Sequence, residues 1–101
     1  MITVLKSKIS EVKIEVCNVE CEGSITLPLE LMHKANLYHY ERVEVNSKYG
    51  KGRISTYVIQ GDRVELNGGA TQHFKVGDVV HVNAFTDIPE TLALVHKPTI
   101  V

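Results

Sequence analysis

The sequence predicts a small β-barrel with one short helix. Two observations carry that fold class: many short segments rich in β-branched and aromatic residues, and glycine-containing turns at close spacing between them. Closure into a barrel follows because it removes the exposed strand edges that an open sheet of this size would carry. At 101 residues, 44% of them hydrophobic, the chain has the length of one compact domain rather than two.

The elements follow in order. Val12, Lys13, Ile14, Glu15 and Val16 alternate apolar and charged residues, the period of a strand with one buried face. Ser24 to Leu27 reads as a short strand, and Pro28 suits the first position of a helix, where its missing amide proton costs nothing. Pro28, Leu31, Met32 and Ala35 recur at helical spacing on one face, with Asn36 as the stop. Arg42 to Val45 alternates again, Ser47 to Gly52 turns, and Arg53 to Ile59 is a strand by composition. Gly61 and Asp62 turn the chain into a short strand at Val64 to Leu66. A third turn at Asn67, Gly68 and Gly69 precedes Ala70 to Phe74, and Val79 to Phe85 closes the set after Gly77 and Asp78. Counting Ala70 to Phe74 as extended gives seven strands, and otherwise six. Thr86 to Val101, with Pro89 and Pro98 around an apolar Leu92 to Val95, is expected to dock as an arm on the barrel or on a neighbour.

Composition narrows the function classes. Eleven basic against 12 acidic residues leave no broad cationic surface for phosphate neutralisation, so no nucleic-acid partner is expected. No stretch approaches the roughly 20 apolar residues of a membrane span, and the start lacks a signal-peptide core, so a soluble, cytoplasmic protein is expected. Cys17 and Cys21 are read as reduced thiols, and the five histidines have no metal-binding spacing, so no metal is assigned.

Gly23-Ser24 is an ordinary turn dipeptide by itself. It gains meaning from Lys8, from the run Arg53, Ile54, Ser55, Thr56, Tyr57, and from Asn67, Gly68, Gly69, Ala70. In this order and spacing, over nearly the whole chain, these motifs resemble the aspartate 1-decarboxylase family. The resemblance implies a double-psi β-barrel, assembled as a homotetramer of self-cleaved protomers that share active sites. It implies one domain over residues 1–101, cut between Gly23 and Ser24 into a β chain (1–23) and an α chain (24–101). A pyruvoyl group would be made from Ser24 after an N-to-O acyl shift onto its hydroxyl. Glycine at position 23 suits that shift because it leaves the carbonyl open to the nucleophile.

Residue by residue, the resemblance makes Ser24 the pyruvoyl precursor, Thr56 the group assisting cleavage, and Tyr57 the proton donor of decarboxylation. Lys8 and Arg53 become the cations that hold the carboxylates of L-aspartate. Asn67 and the backbone of Gly68, Gly69 and Ala70 become the pocket wall, with Thr56 also at the substrate. A maturation factor is a further partner it allows. Cys21, Ser10, Glu11 and Gly69 depart from the family's usual residues, and none removes a chemical group from this set. On an extended segment Arg53, Ser55 and Tyr57 share one face and Thr56 takes the other, so Thr56 would need a bend or another protomer to reach the cleavage site.

A rival reading exists for Gly23 to Val45, which also resembles the swapped-hairpin module of AbrB-like DNA-binding regulators. The acidic Glu15, Glu20 and Glu22 around that segment discourage phosphate contact. An unprocessed barrel without activity is the third alternative.

Overall fold

A computed structural model describes residues 1–50 and 52–101. It has eight strands: β1 (Ile2–Lys13), β2 (Val16–Asn18), β3 (Ser24–Pro28), β4 (Arg42–Ser47), β5 (Arg53–Gly61), β6 (Glu65–Asn67), β7 (Val79–Ile88) and β8 (Thr99–Ile100). One α-helix, α1 (Leu29–Lys34), follows β3. All eight strands join in one sheet of order β2-β6-β3-β5-β4-β7-β1-β8. The mainly β fold with a short early helix is therefore as the sequence predicts.

The sheet wraps one core. Ile9, Ile14, Ile25, Leu27, Val43, Val45, Val58, Leu66, Val80 and Val82 are buried together, and Met32, Ala35 and Leu37 seal one end from α1 and the loop after it. On β4 and β7 every second residue enters this core, as strand pleating requires. The alternate residues form a polar outer face, and that face carries Lys8, Arg53 and Tyr57.

The long first strand departs most from expectation. Val12 to Val16 is not one strand: Val12 and Lys13 end β1, Ile14 and Glu15 break the ladder, and Val16 opens β2. Irregularities in the β1–β7 pairing fall between Leu5 and Ser7 and between Ile9 and Val12. Each such bulge shifts the alternation, so Ile2 to Ile9 shows no clean period of two. At the break Ile14 is buried, and the Glu15 carboxylate accepts the Val64 N–H at 2.7 Å, joining the start of β2 to the start of β6.

Smaller corrections concern the turns. Pro28 ends β3 and caps α1 instead of being its first residue. Asn36 does stop the helix, with the left-handed φ of 57° that commonly follows a C-cap. Ala70 to Phe74 is not extended: Gly68–His73 forms a 3₁₀ turn, tightened by the Thr71 hydroxyl donating to the Gly68 carbonyl at 2.7 Å. Asn67, expected within a turn, is the last residue of β6. β7 runs on to Ile88, three residues past its expected end, and the arm after it returns to lay β8 parallel to β1 at Ser7 and Lys8.

Candidate active site

The Gly23-Ser24 bond lies where β3 begins, between β6 and β5. Ser24 is paired with Asn67 across the antiparallel β3–β6 ladder. Both are buried, 5% and 4% exposed, so water competes little for their polar atoms. Asn67 Nδ2 donates to Ser24 Oγ at 2.9 Å and to Thr26 Oγ1 at 3.2 Å. Its Oδ1 is buried and has no hydrogen-bond partner among the described residues. The carboxamide thus holds the serine hydroxyl and keeps one acceptor in reserve beside it.

Gly68, directly after Asn67, supplies the close approach. Its φ is +69°, and a Cβ there would stand 2.6 Å from the Gly23 nitrogen and 2.8 Å from the Cys21 carbonyl oxygen. Only glycine fits, by backbone angle and by space alike. Gly69 has open space around it, and Ala70 packs against the core.

On the other side, β3 runs parallel to β5 with Ile25 opposite Val58. Continuing that register towards the strand start aligns Ser24 with Tyr57 and Gly23 with Thr56. Thr56 is therefore level with the Gly23-Ser24 bond on the next strand, while its parity puts it on the face of Ile54 and buried Val58. Tyr57 stacks at a tilt on Tyr40, ring centroids 5.9 Å apart. A groove of about 290 Å³ runs along Arg42, Ser55, Thr56 and Tyr57.

The two cations lie farther away. Arg53 is four residues from Tyr57 on β5, roughly 13 Å along the strand. Lys8 is on β1, four strand spacings from β3, about 19 Å measured round the curved sheet. Neither is in an ion pair among the described residues. Direct pairings form the row Lys8, Asn83, Glu44, Ser55 across the outer face, with Arg53 paired to Asn46 one step along. In this row Asn46 Oδ1 and Asn83 Oδ1 are buried without partners among the described residues.

Sequence reasoning missed Thr26 and Arg42. Thr26 was legible as the residue two past Ser24 on a strand, hence on its face. Arg42 carried no local signal: it matters because it pairs with Tyr57 and donates from Nε to Ser55 Oγ at 2.9 Å.

The aspartate decarboxylase family model matches residues 1–101. The chain belongs to the aspartate decarboxylase family. An aspartate 1-decarboxylase of Coprothermobacter proteolyticus is 46% identical over 89 residues, covering 84% of this chain and 74% of that protein. One from Clostridium kluyveri is 35% identical, covering 99% and 82%, and one from Phocaeicola vulgatus 36%, covering 100% and 90%. Membership in this decarboxylase family makes the chain an enzyme. The same segment that resembled a swapped hairpin, β3–α1–β4, has its two strands separated by β5 rather than paired to each other.

Among the described residues no group of His, Cys, Asp and Glu is placed to hold a metal ion, and no helix is long and apolar enough to cross a membrane. The Cys17 thiol is pushed up from its ordinary pKa, first by burial and then by the nearby Asp78 charge.

Proposed function

We propose that this aspartate decarboxylase family member converts L-aspartate to β-alanine and carbon dioxide in the cytoplasm, supplying pantothenate synthesis, after cutting its own chain between Gly23 and Ser24. The observation that carries the reading is the Asn67 amide on Ser24 Oγ at 2.9 Å, at a bond flanked by Gly68. In the cut, Ser24 Oγ bonds to the Gly23 carbonyl carbon, the peptide C–N bond breaks, and the hydroxyl proton ends on the freed nitrogen. Elimination then releases residues 1–23 with a new carboxylate, and water removes the nitrogen as ammonia, leaving residues 24–101 with a pyruvoyl start.

The residues fit that group: the buried unpartnered Asn67 Oδ1 can accept from a nitrogen freed at Ser24, and the Gly68 approach leaves no side chain in the way. When formed, the pyruvoyl group supplies a ketone that binds the substrate amine and draws off the electrons left by departing carbon dioxide. The chain does the rest. Arg53 suits one substrate carboxylate through its planar fork, and Lys8 offers a point charge to the other. The Tyr57 hydroxyl delivers a proton to the carbon that loses carbon dioxide. Thr56 polarises the Gly23 carbonyl during the cut, and Gly69 and Ala70 continue the pocket wall with Gly68.

The distances of Lys8 and Arg53 from Ser24 favour sites completed between protomers of a homotetramer, matured alone or by a helper protein. Intact-mass measurement of the purified protein tests the reading. Two fragments, 1–23 and a pyruvoyl-headed 24–101, should be present in the wild type and missing in Ser24→Ala. A chain that stays whole, with and without extract from its source cells, would exclude it.

A further inference from the structure

Ser24 and Thr26 are two residues apart on β3 and so share a face, and Asn67 on β6 faces Ser24 directly and Thr26 diagonally. Its Nδ2 donates to both hydroxyls, at 2.9 and 3.2 Å. An asparagine amide turns in a broad, shallow torsional well, so one hydrogen bond to Ser24 would leave its plane loosely set. The second bond, to Thr26, supplies the missing anchor.

Thr26 is itself fixed from the opposite side. A Cβ at Gly61 on β5 would lie 2.3 Å from Thr26 Cγ2, so the methyl fills the notch that the missing side chain leaves. β3 lies between β6 and β5. With its methyl turned to β5, the branched side chain has its hydroxyl turned to β6, and branching at Cβ keeps it in that rotamer.

We propose that Thr26 is a positioning residue for chain cleavage: its hydroxyl, locked by the methyl in the Gly61 notch, aims the Asn67 carboxamide at Ser24 Oγ and so sets the rate at which that oxygen attacks the Gly23 carbonyl. This rests on the self-cleavage reading above. Thr26 touches none of the atoms that react. It acts through Asn67, and Gly61 acts through Thr26, so two strands on opposite sides of β3 tune one oxygen.

The test compares freshly made wild type, Thr26→Val, Thr26→Ser and Gly61→Ala by the fraction cleaved against time and by thermal unfolding. Thr26→Val keeps the shape and removes the hydroxyl. Cleavage should slow about tenfold, the loss of one ordinary hydrogen bond in a rate. Gly61→Ala should slow it similarly by forcing the threonine to rotate, while Thr26→Ser, which keeps the hydroxyl and loses the methyl that locks it, should fall between wild type and Thr26→Val. Thr26→Val cleaving at the wild-type rate overturns the proposal, because that variant keeps the methyl and lacks only the hydroxyl, and Gly61→Ala cleaving at the wild-type rate overturns it too, because the notch then locks nothing.

If the wild type itself never cleaves, the underlying reading has failed, and the positioning claim is read separately. Exchange of the Asn67 side-chain amide protons is then followed by NMR in the Ser24→Ala chain. Faster exchange on adding Thr26→Val supports the anchor, and unchanged exchange rejects it.

Discussion

Asn67 has its amide nitrogen shared between two hydroxyls and its oxygen buried without a donor among the described residues. A buried acceptor left unpaired costs free energy, on the order of 1–3 kcal/mol, which a folded protein keeps only where something is gained. Under the self-cleavage proposal the gain is an acceptor standing beside a bond whose cleavage would create a new nitrogen donor. Gly68 is equally constrained. Gly68→Ala is expected to destabilise the chain by roughly 1–3 kcal/mol from the φ of +69° alone, with the clash against Gly23 added. Denaturant unfolding of the uncleavable Ser24→Ala background, with and without Gly68→Ala, measures it. The two thiols give a further test at this scale. Cys21 is exposed, whereas Cys17 is partly buried and its thiol pKa is raised by burial and by the Asp78 charge. Iodoacetamide near neutral pH should therefore alkylate Cys21 well before Cys17, since the thiolate is the reacting form, and peptide mass mapping reads the order.

At the scale of elements, β5 links the two halves of the site. Its residues Arg53, Ser55 and Tyr57 share the outward face, and its inward Val58 belongs to the core. Tyr57→Phe should keep the packing on Tyr40 and the thermal midpoint while lowering decarboxylation by about 100-fold or more, the usual worth of a positioned proton donor. A stopped assay of β-alanine formation on fully cleaved protein separates this from a maturation defect. β6 is short but anchored by Leu66, which is fully buried next to Asn67. Leu66→Ala should cost about 2–5 kcal/mol, seen as a lower unfolding midpoint. Much of β5 was legible from sequence, because its β-branched and aromatic composition needs no period to be read and its pairing with β4 runs without a bulge. β1 was not, because its two irregularities change which face each residue takes, and Val12 to Val16 alternates across a break in the ladder.

Over the whole molecule, Lys8 and Ser24 stand at well-separated strands, while Leu94 and Val95 on the returning arm are exposed and Asn46 and Asn83 keep acceptors on the outer face that have no partner among the described residues. These features suit an assembly in which one protomer's outer face meets another's. Size-exclusion chromatography with light scattering is expected to give four copies. If sites are shared, inactive Lys8→Ala and inactive Ser24→Ala proteins should regain part of the wild-type activity when unfolded and refolded together. Absence of any regain with mixed tetramers present would mean that each protomer supplies its own lysine.

By itself the sequence determined the mainly β fold, the early helix and the family, because these rest on local composition, short-range periodicity and ordered motifs. It also marked Ser24, Arg53, Tyr57 and Asn67 as residues to watch. Only the tertiary structure decided that Asn67 reaches Ser24 and Thr26 together, that Gly61 makes room for the Thr26 methyl, and that Lys8 lies strands away from Ser24. The reason is register: which residues meet across neighbouring strands depends on pairings between segments some 40 residues apart, and a single bulge can change every one of them.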